Sequence, residues 1–160
     1  MQALVLDKDT QRLDQSLIAL MKAGIHVTGT SSIRVAETCI TRMCVDLLVF
    51  EKSTVGDALG DTLGMAEDRN PHLVSILRTL DVEGDQDDLT PYFPSLHCIL
   101  GLNVPSCVAV KFALASLRAQ MTVSIFQSEA RPAKRKRALA SQTPLIAHVP
   151  MPRAAFAEAV

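Results

Sequence analysis

Four short stretches of this chain are apolar at nearly every position: Ala3–Leu6, Leu47–Phe50, Leu73–Leu77 and Leu96–Leu102. Runs this short and this continuous suit strands buried on both faces, because a half-exposed strand alternates apolar with polar residues. A weaker run, Ile25–Thr28, supplies a fifth candidate strand. Between the runs, apolar residues recur every three or four positions, the spacing of one face of a helix. Leu13, Leu17, Leu20 and Met21 mark the first such segment, capped by Asp9 or Thr10 and ended by Gly24. Val35, Ala36, Cys39, Ile40 and Met43 mark the second, with Ser31 or Ser32 at its start.

The later helices are less regular. Gly56, Gly60 and Gly64 fall on one side of a third helix through Val55–Ala66, and glycine costs about 1 kcal/mol against alanine in a helix interior. They predict close packing against the sheet or a frayed helix. Asp81–Thr90 is acidic, with only Val82 and Leu89 to bury, so a mobile loop or one short turn is expected there. Pro105 opens a final helix whose apolar side carries Val108, Phe112, Ala115 and Leu117. The pattern is βα repeated five times in residues 1–120, which predicts a parallel sheet with helices on both faces. Residues 121–160 read as a C-terminal extension. Met121–Phe126 extends the last helix or forms a short strand, and a basic linker with prolines follows.

Composition narrows the function classes. Hydrophobic residues make up 48% of the chain, enough for a sizeable core, and the net charge of −1 favours neither nucleic acid nor membrane. The first apolar run stops at Asp7, so an export signal is not expected, and no run approaches the ~20 residues of a spanning helix. A cytoplasmic protein is expected. Cys39, Cys44, Cys98 and Cys107 form no CxxC pair and are read as small buried hydrophobes. His26, His72, His97 and His148 are scattered, and the chain has no GxSxG, GxGxxG or GxxxxGK[ST]. No enzyme is expected. Acid clusters at Asp81, Glu83, Asp85, Asp87 and Asp88; base clusters at Lys134, Arg135, Lys136 and Arg137. The basic run is a solvated linker or a contact for nucleic acid or an acidic partner.

In an open parallel sheet, function collects at the carboxyl ends of the strands. Those ends carry Asp7, Lys8 and Asp9, then Glu51 and Lys52, then Arg78 and Thr79, then Asn103. The segments Ala3-Leu-Val-Leu-Asp-Lys-Asp9 and Asp46-Leu-Leu-Val-Phe-Glu51, with Gly56 and Asn70-Pro71 in order after them, resemble the receiver domain of two-component signalling over residues 1–120. The resemblance implies a doubly wound, flavodoxin-like (βα)5 sheet of order 2-1-3-4-5, working through a protein partner and as a possible homodimer.

The same resemblance sets out what the site lacks. In the family an aspartate ends the third strand and accepts phosphate, acids after the first strand hold magnesium, and a hydroxyl and a lysine after strands four and five read the phosphoryl group. Here Glu51 stands at the phosphoacceptor position. Asp7 and Asp9 are the acidic-pocket equivalents, and Lys8 stands where the second acid is usual. Arg78 and Thr79 fall at or beside the hydroxyl position, and Gly101 stands in place of the lysine. These departures predict a degenerate receiver without ordinary phosphotransfer and without a cofactor; Mg2+ on Asp7, Asp9 and Glu51 is the alternative. Glu51 itself either imitates a phosphorylated aspartate or closes an ion pair with Lys8 or Lys52. Asp7 and Asp9 either bind a cation or cap the first helix.

Overall fold

The computed structural model describes residues 1–130, with side chains described for residues 1–120. Five parallel strands form one sheet in the order β2-β1-β3-β4-β5. In chain order they are β1 (Gln2–Leu6), β2 (His26–Thr30), β3 (Leu47–Glu51), β4 (Val74–Thr79) and β5 (Leu96–Gly101). The helices are α1 (Thr10–Lys22), α2 (Ile33–Arg42), the single turn α3 (Lys52–Val55), α4 (Leu59–Arg69), α5 (Val82–Leu89) and α6 (Ser106–Ala130). This is the doubly wound arrangement the alternating pattern predicts. Residues Met1–Ser124 form one compact unit, and Ile125–Val160 fall in a second. Met121–Phe126 continues α6 and is not a strand.

The strands explain the apolar runs. Every residue of β3 and β4 is buried, as is β1 from Ala3 onward. The two-residue strand period divides their side chains between two layers. Leu4, Leu6, Leu48, Phe50 and Leu77 meet α2 and α4 through Ala36, Ile40, Leu63 and Ala66. Ala3, Val5, Leu47, Val49, Val74 and Ile76 meet α1 and α6 through Leu20, Val110, Ala113 and Leu117. At the amino edge Asp46 accepts from the Gln2 amide at 2.8 Å and from Asn70 Nδ2 at 3.3 Å, so this acid joins β1, β3 and the approach to β4.

Several expected faces shift. Met21 and Val35 stand about half exposed, because each falls at the edge of an apolar stripe narrower than the sequence spacing implies. Among the described side chains of α6 the buried apolar residues are Ala109, Val110, Ala113 and Leu117, while Phe112 and Ala115 are exposed. The inner face of that helix, packed on the sheet through Val110, Ala113 and Leu117, leaves Phe112 outside. None of the cysteines is fully buried, and Cys44 and Cys107 are exposed.

The third helical region is broken, not frayed. Gly56 takes φ +58° and ψ −135°, closes the turn Lys52–Val55, and is followed by a 3-10 turn at Gly56–Ala58 before α4 begins at Leu59. Gly64 has open space where a Cβ would sit, so close packing is not the reason for glycine there. Asp81–Thr90 is likewise not a loop: α5 spans eight residues, with Asp81 Oδ1 accepting from the Gly84 amide at 3.1 Å as its cap.

These two glycines separate cleanly by substitution. Gly56→Ala places a Cβ in a conformation only glycine adopts readily and should lower the unfolding free energy by about 1–3 kcal/mol. Gly64→Ala, in a regular helix with free space, should raise it by about 0.4–1 kcal/mol. Urea unfolding of both variants measures the contrast.

Candidate functional site

The carboxyl edge of the sheet carries an unusual number of buried charged groups. Asp7, Glu51 and Arg78 are each no more than 3% exposed, and the neutral Thr79 is buried beside them. Register places Glu51 beside Arg78 and Thr79 beside Gly101. A buried charge needs a partner and hydrogen bonds, and the geometry supplies both.

Asp7 is held by a residue the sequence reading passed over. Arg12, in the first turn of α1, donates from Nε to Asp7 Oδ2 at 2.9 Å and from Nη2 to Asp7 Oδ1 at 2.8 Å. This is the two-pronged arginine–carboxylate pair, stronger and more directional than a lysine contact. Asp7 Oδ1 also accepts from the Asp9 amide at 2.8 Å. Asp9 caps α1 by accepting from the Arg12 amide at 3.0 Å, and its second oxygen lies 3.4 Å from Arg12 Nη1. The amide bond of Arg12 holds the Asp9 carboxyl below the usual carboxylate range, while the bonds to Asp7 raise the Arg12 guanidinium above its ordinary value. Capping therefore falls to Asp9 alone; Asp7 is bound to the arginine.

Arg78 is among the largest fully buried side chains of the described residues. It reaches from β4 across to the chain leaving β5. Its Nη1 donates to Ser106 Oγ at 3.2 Å, and its Nη2 donates to the carbonyls of Leu102 at 3.2 Å and Val104 at 2.5 Å. Ser106 passes the connection on by donating to the Arg12 carbonyl at 3.4 Å. Burial pulls the Arg78 guanidinium below the ordinary arginine value, and the negative charge of Asp7 opposes that shift. Its Nε has no partner.

Glu51 forms a direct ion pair with neither Lys8 nor Lys52, which corrects the expectation of such a pair. Instead its carboxylate folds back onto the turn that follows it. Oε1 accepts from the Ser53 amide at 3.0 Å and the Ser53 hydroxyl at 2.6 Å, and Oε2 accepts from the Thr54 hydroxyl at 2.5 Å. Lys8 donates from Nζ to the Ser53 hydroxyl, so its charge reaches Glu51 through that hydroxyl; the Lys8 amide donates to Thr54 Oγ1 at 3.0 Å. Lys52 turns away and pairs with Asp85. Burial alone would push the Glu51 carboxyl up, but the Ser53 and Thr54 bonds and the nearby Lys8 outweigh it and hold the carboxyl below its ordinary value of 4.5. Thr79 Oγ1 accepts from the Asp81 amide at 3.3 Å and so serves its own loop. At Gly101 an added Cβ would lie 2.6 Å from Asn103 Oδ1, the end of an exposed side chain that can move aside.

The structure thus gathers Asp7, Lys8, Asp9, Glu51 and Arg78 at one edge, with Arg12, Ser53, Thr54 and Ser106 as members the sequence reading missed. Two signals were available. An arginine three residues after a capping aspartate can turn back to the acids before it. Hydroxyls two and three residues after a strand-end glutamate can cap onto it. The basic run Lys134, Arg135, Lys136 and Arg137 lies outside the described residues. Among those described, no helix is long and apolar enough to cross a membrane.

Two substitutions test this reading of the edge. Arg78→Met strips two carbonyls of their donor and removes a buried positive charge beside Asp7; unfolding in urea should show a loss of about 3–5 kcal/mol. For Glu51 the sign follows from its lowered value. Its contribution is fully present above about pH 4.5, the unfolded value, and is lost as pH falls through the lower folded one. The stability gap between the wild type and Glu51→Gln should therefore be constant near neutrality and shrink only below about pH 4.5.

No protein-family model and no curated protein matches the chain. Solved structures do match its fold. A CheY-like response regulator receiver domain protein from Methanospirillum hungatei is 16% identical, with a TM-score of 0.66 over 76% of this chain and 96% of that one. An orphan response regulator of H. pylori is 12% identical, with a TM-score of 0.62 over 73% and 96%. The adenylate cyclase structure from Rhodopirellula baltica is 15% identical, with a TM-score of 0.65 over 82% and 97%. Sheet order, element order and these matches agree, and the chain has the fold of a CheY-like response-regulator receiver domain.

Proposed function

We propose that this chain is a cytoplasmic, non-enzymatic signalling module of the two-component type, working by protein–protein interaction and without phosphotransfer at Glu51. The observation that carries this reading is the guanidinium of Arg12 clasping both oxygens of Asp7. A receiver's magnesium needs free carboxylate oxygens as ligands. Here Asp7 is spent on Arg12, Asp9 on the α1 cap, and Glu51 on Ser53 and Thr54. Arg78 adds a second guanidinium, this one fully buried, at the same edge. The residues present do not fit Mg2+, and no step is assigned to it.

Glu51 is read as a cap that fixes the β3–α3 turn, in preference to an imitation of phosphoaspartate. An imitation would draw the Thr79 hydroxyl toward it, and that hydroxyl is bonded to the Asp81 amide. The partner surface is placed on the side of α5, β5 and α6. Leu80, at the loop entering α5, is 88% exposed and Tyr92, at the loop leaving it, 74%; tyrosine is among the side chains that most often anchor interfaces. Homodimerisation through the same side belongs to this reading.

Incubation with acetyl phosphate and magnesium, followed by intact mass, is the direct test. The expected result is no acid-labile gain of one phosphate. Calorimetry should register no magnesium binding at millimolar concentration. A stoichiometric phosphate gain overturns the proposal.

A further inference from the structure

The helix α5 is held differently from every other described helix of the sheet layers. Leu20 anchors α1, Ala36 and Ile40 anchor α2, Leu59, Leu63 and Ala66 anchor α4, and Ala109, Val110, Ala113 and Leu117 anchor α6. In α5 the one fully buried residue is Asp85, at 3% exposure. Val82 and Leu89 are only partly buried, and Gly84 lies in the interior. Eight residues with a glycine and no fully buried apolar side chain make a helix that is marginal by itself.

Asp85 is bound to Lys52 Nζ across the carboxyl edge, from the turn directly after Glu51. The other Asp85 oxygen is buried with no donor. Lys52 keeps a side chain 47% exposed, so the cation stands at the surface and the anion lies beneath it. A buried carboxylate that loses its only cation must return to water or take up a proton. Because α5 has little else to hold it, the easier course is for the helix to swing out.

We propose that the Lys52–Asp85 pair is a latch that keeps α5 seated, and that removing the charge of Lys52 releases α5 while the sheet stays folded. The latch sits beside the Glu51 cap: Glu51 fixes the turn from which Lys52 reaches. The inference goes beyond the proposed signalling role and needs no partner protein.

Hydrogen exchange by mass spectrometry on the full chain reads it directly. In Lys52→Met, amides of residues 82–89 should exchange at least about tenfold faster than in the wild type, with β1, β3 and β4 unchanged. The double variant Lys52→Met/Asp85→Leu replaces the pair by apolar contact and should bring α5 back to within about threefold of wild-type exchange. Wild-type exchange in Lys52→Met, equal acceleration of α5 and the strands, or no recovery in the double variant each overturns the latch.

Discussion

A guanidinium buried at the end of a central strand has to be paid for by the chain around it, and much of this domain's carboxyl edge answers to Arg78. Its donors tie the segment after β5, at Leu102 and Val104, to β4. Through Ser106 the same group connects α6 to the start of α1. There Arg12 occupies Asp7 from the other side. Two arginines and Lys8 thus stand among Asp7, Asp9 and Glu51, three positive charges against three negative. In a low-dielectric setting such compensation is a condition for burying any of them.

That balance shapes what the edge can do. The oxygens of Asp7 and Glu51 accept from arginine, backbone and hydroxyl donors. The edge therefore acts as a set of ties between loops. Asp9 joins β1 to α1, Glu51 joins β3 to α3, and the Lys8 amide and ammonium join the β1–α1 loop to α3. Lys52 carries the last tie, to α5. The loops that would carry a switch in a receiver are here cross-bonded to one another.

Much of the fold was legible in the residues. The continuous runs at Leu47–Phe50 and Leu73–Leu77 announce strands covered on both faces, and Gly24, at φ +77°, ends α1 where its position says a left-handed residue is needed. Less was legible where local preference and tertiary contact disagree. Asp81–Thr90 looks like a loop because its residues bury little, yet Val82–Leu89 is a helix capped by Asp81, with Asp85 paired to Lys52. Phe112 looks like core, yet Ala109 and Ala113 are the residues α6 turns inward. Of the site, Asp7, Lys8, Asp9, Glu51 and Arg78 stand out by their places at strand ends. Arg12 and Asp85 do not: Arg12 lies within α1 and not at a strand end, and Asp85 meets its partner Lys52 across 33 residues of chain.

The sequence by itself determined the βα alternation, the two-sided burial of the central strands and the replacement of residues at the carboxyl edge. Periodicity is local, and residue identity at a strand end can be read without knowing its neighbours. Only the tertiary structure decided what those residues do to one another. Asp7 is held through both its oxygens by Arg12, a contact no strand-end position specifies. Glu51 could have faced either lysine until its two oxygens were found on Ser53 and Thr54. Which donor reaches a carboxylate depends on distances of a few ångströms between separate loops. Those distances are fixed by packing of the sheet and helices, not by spacing along the chain.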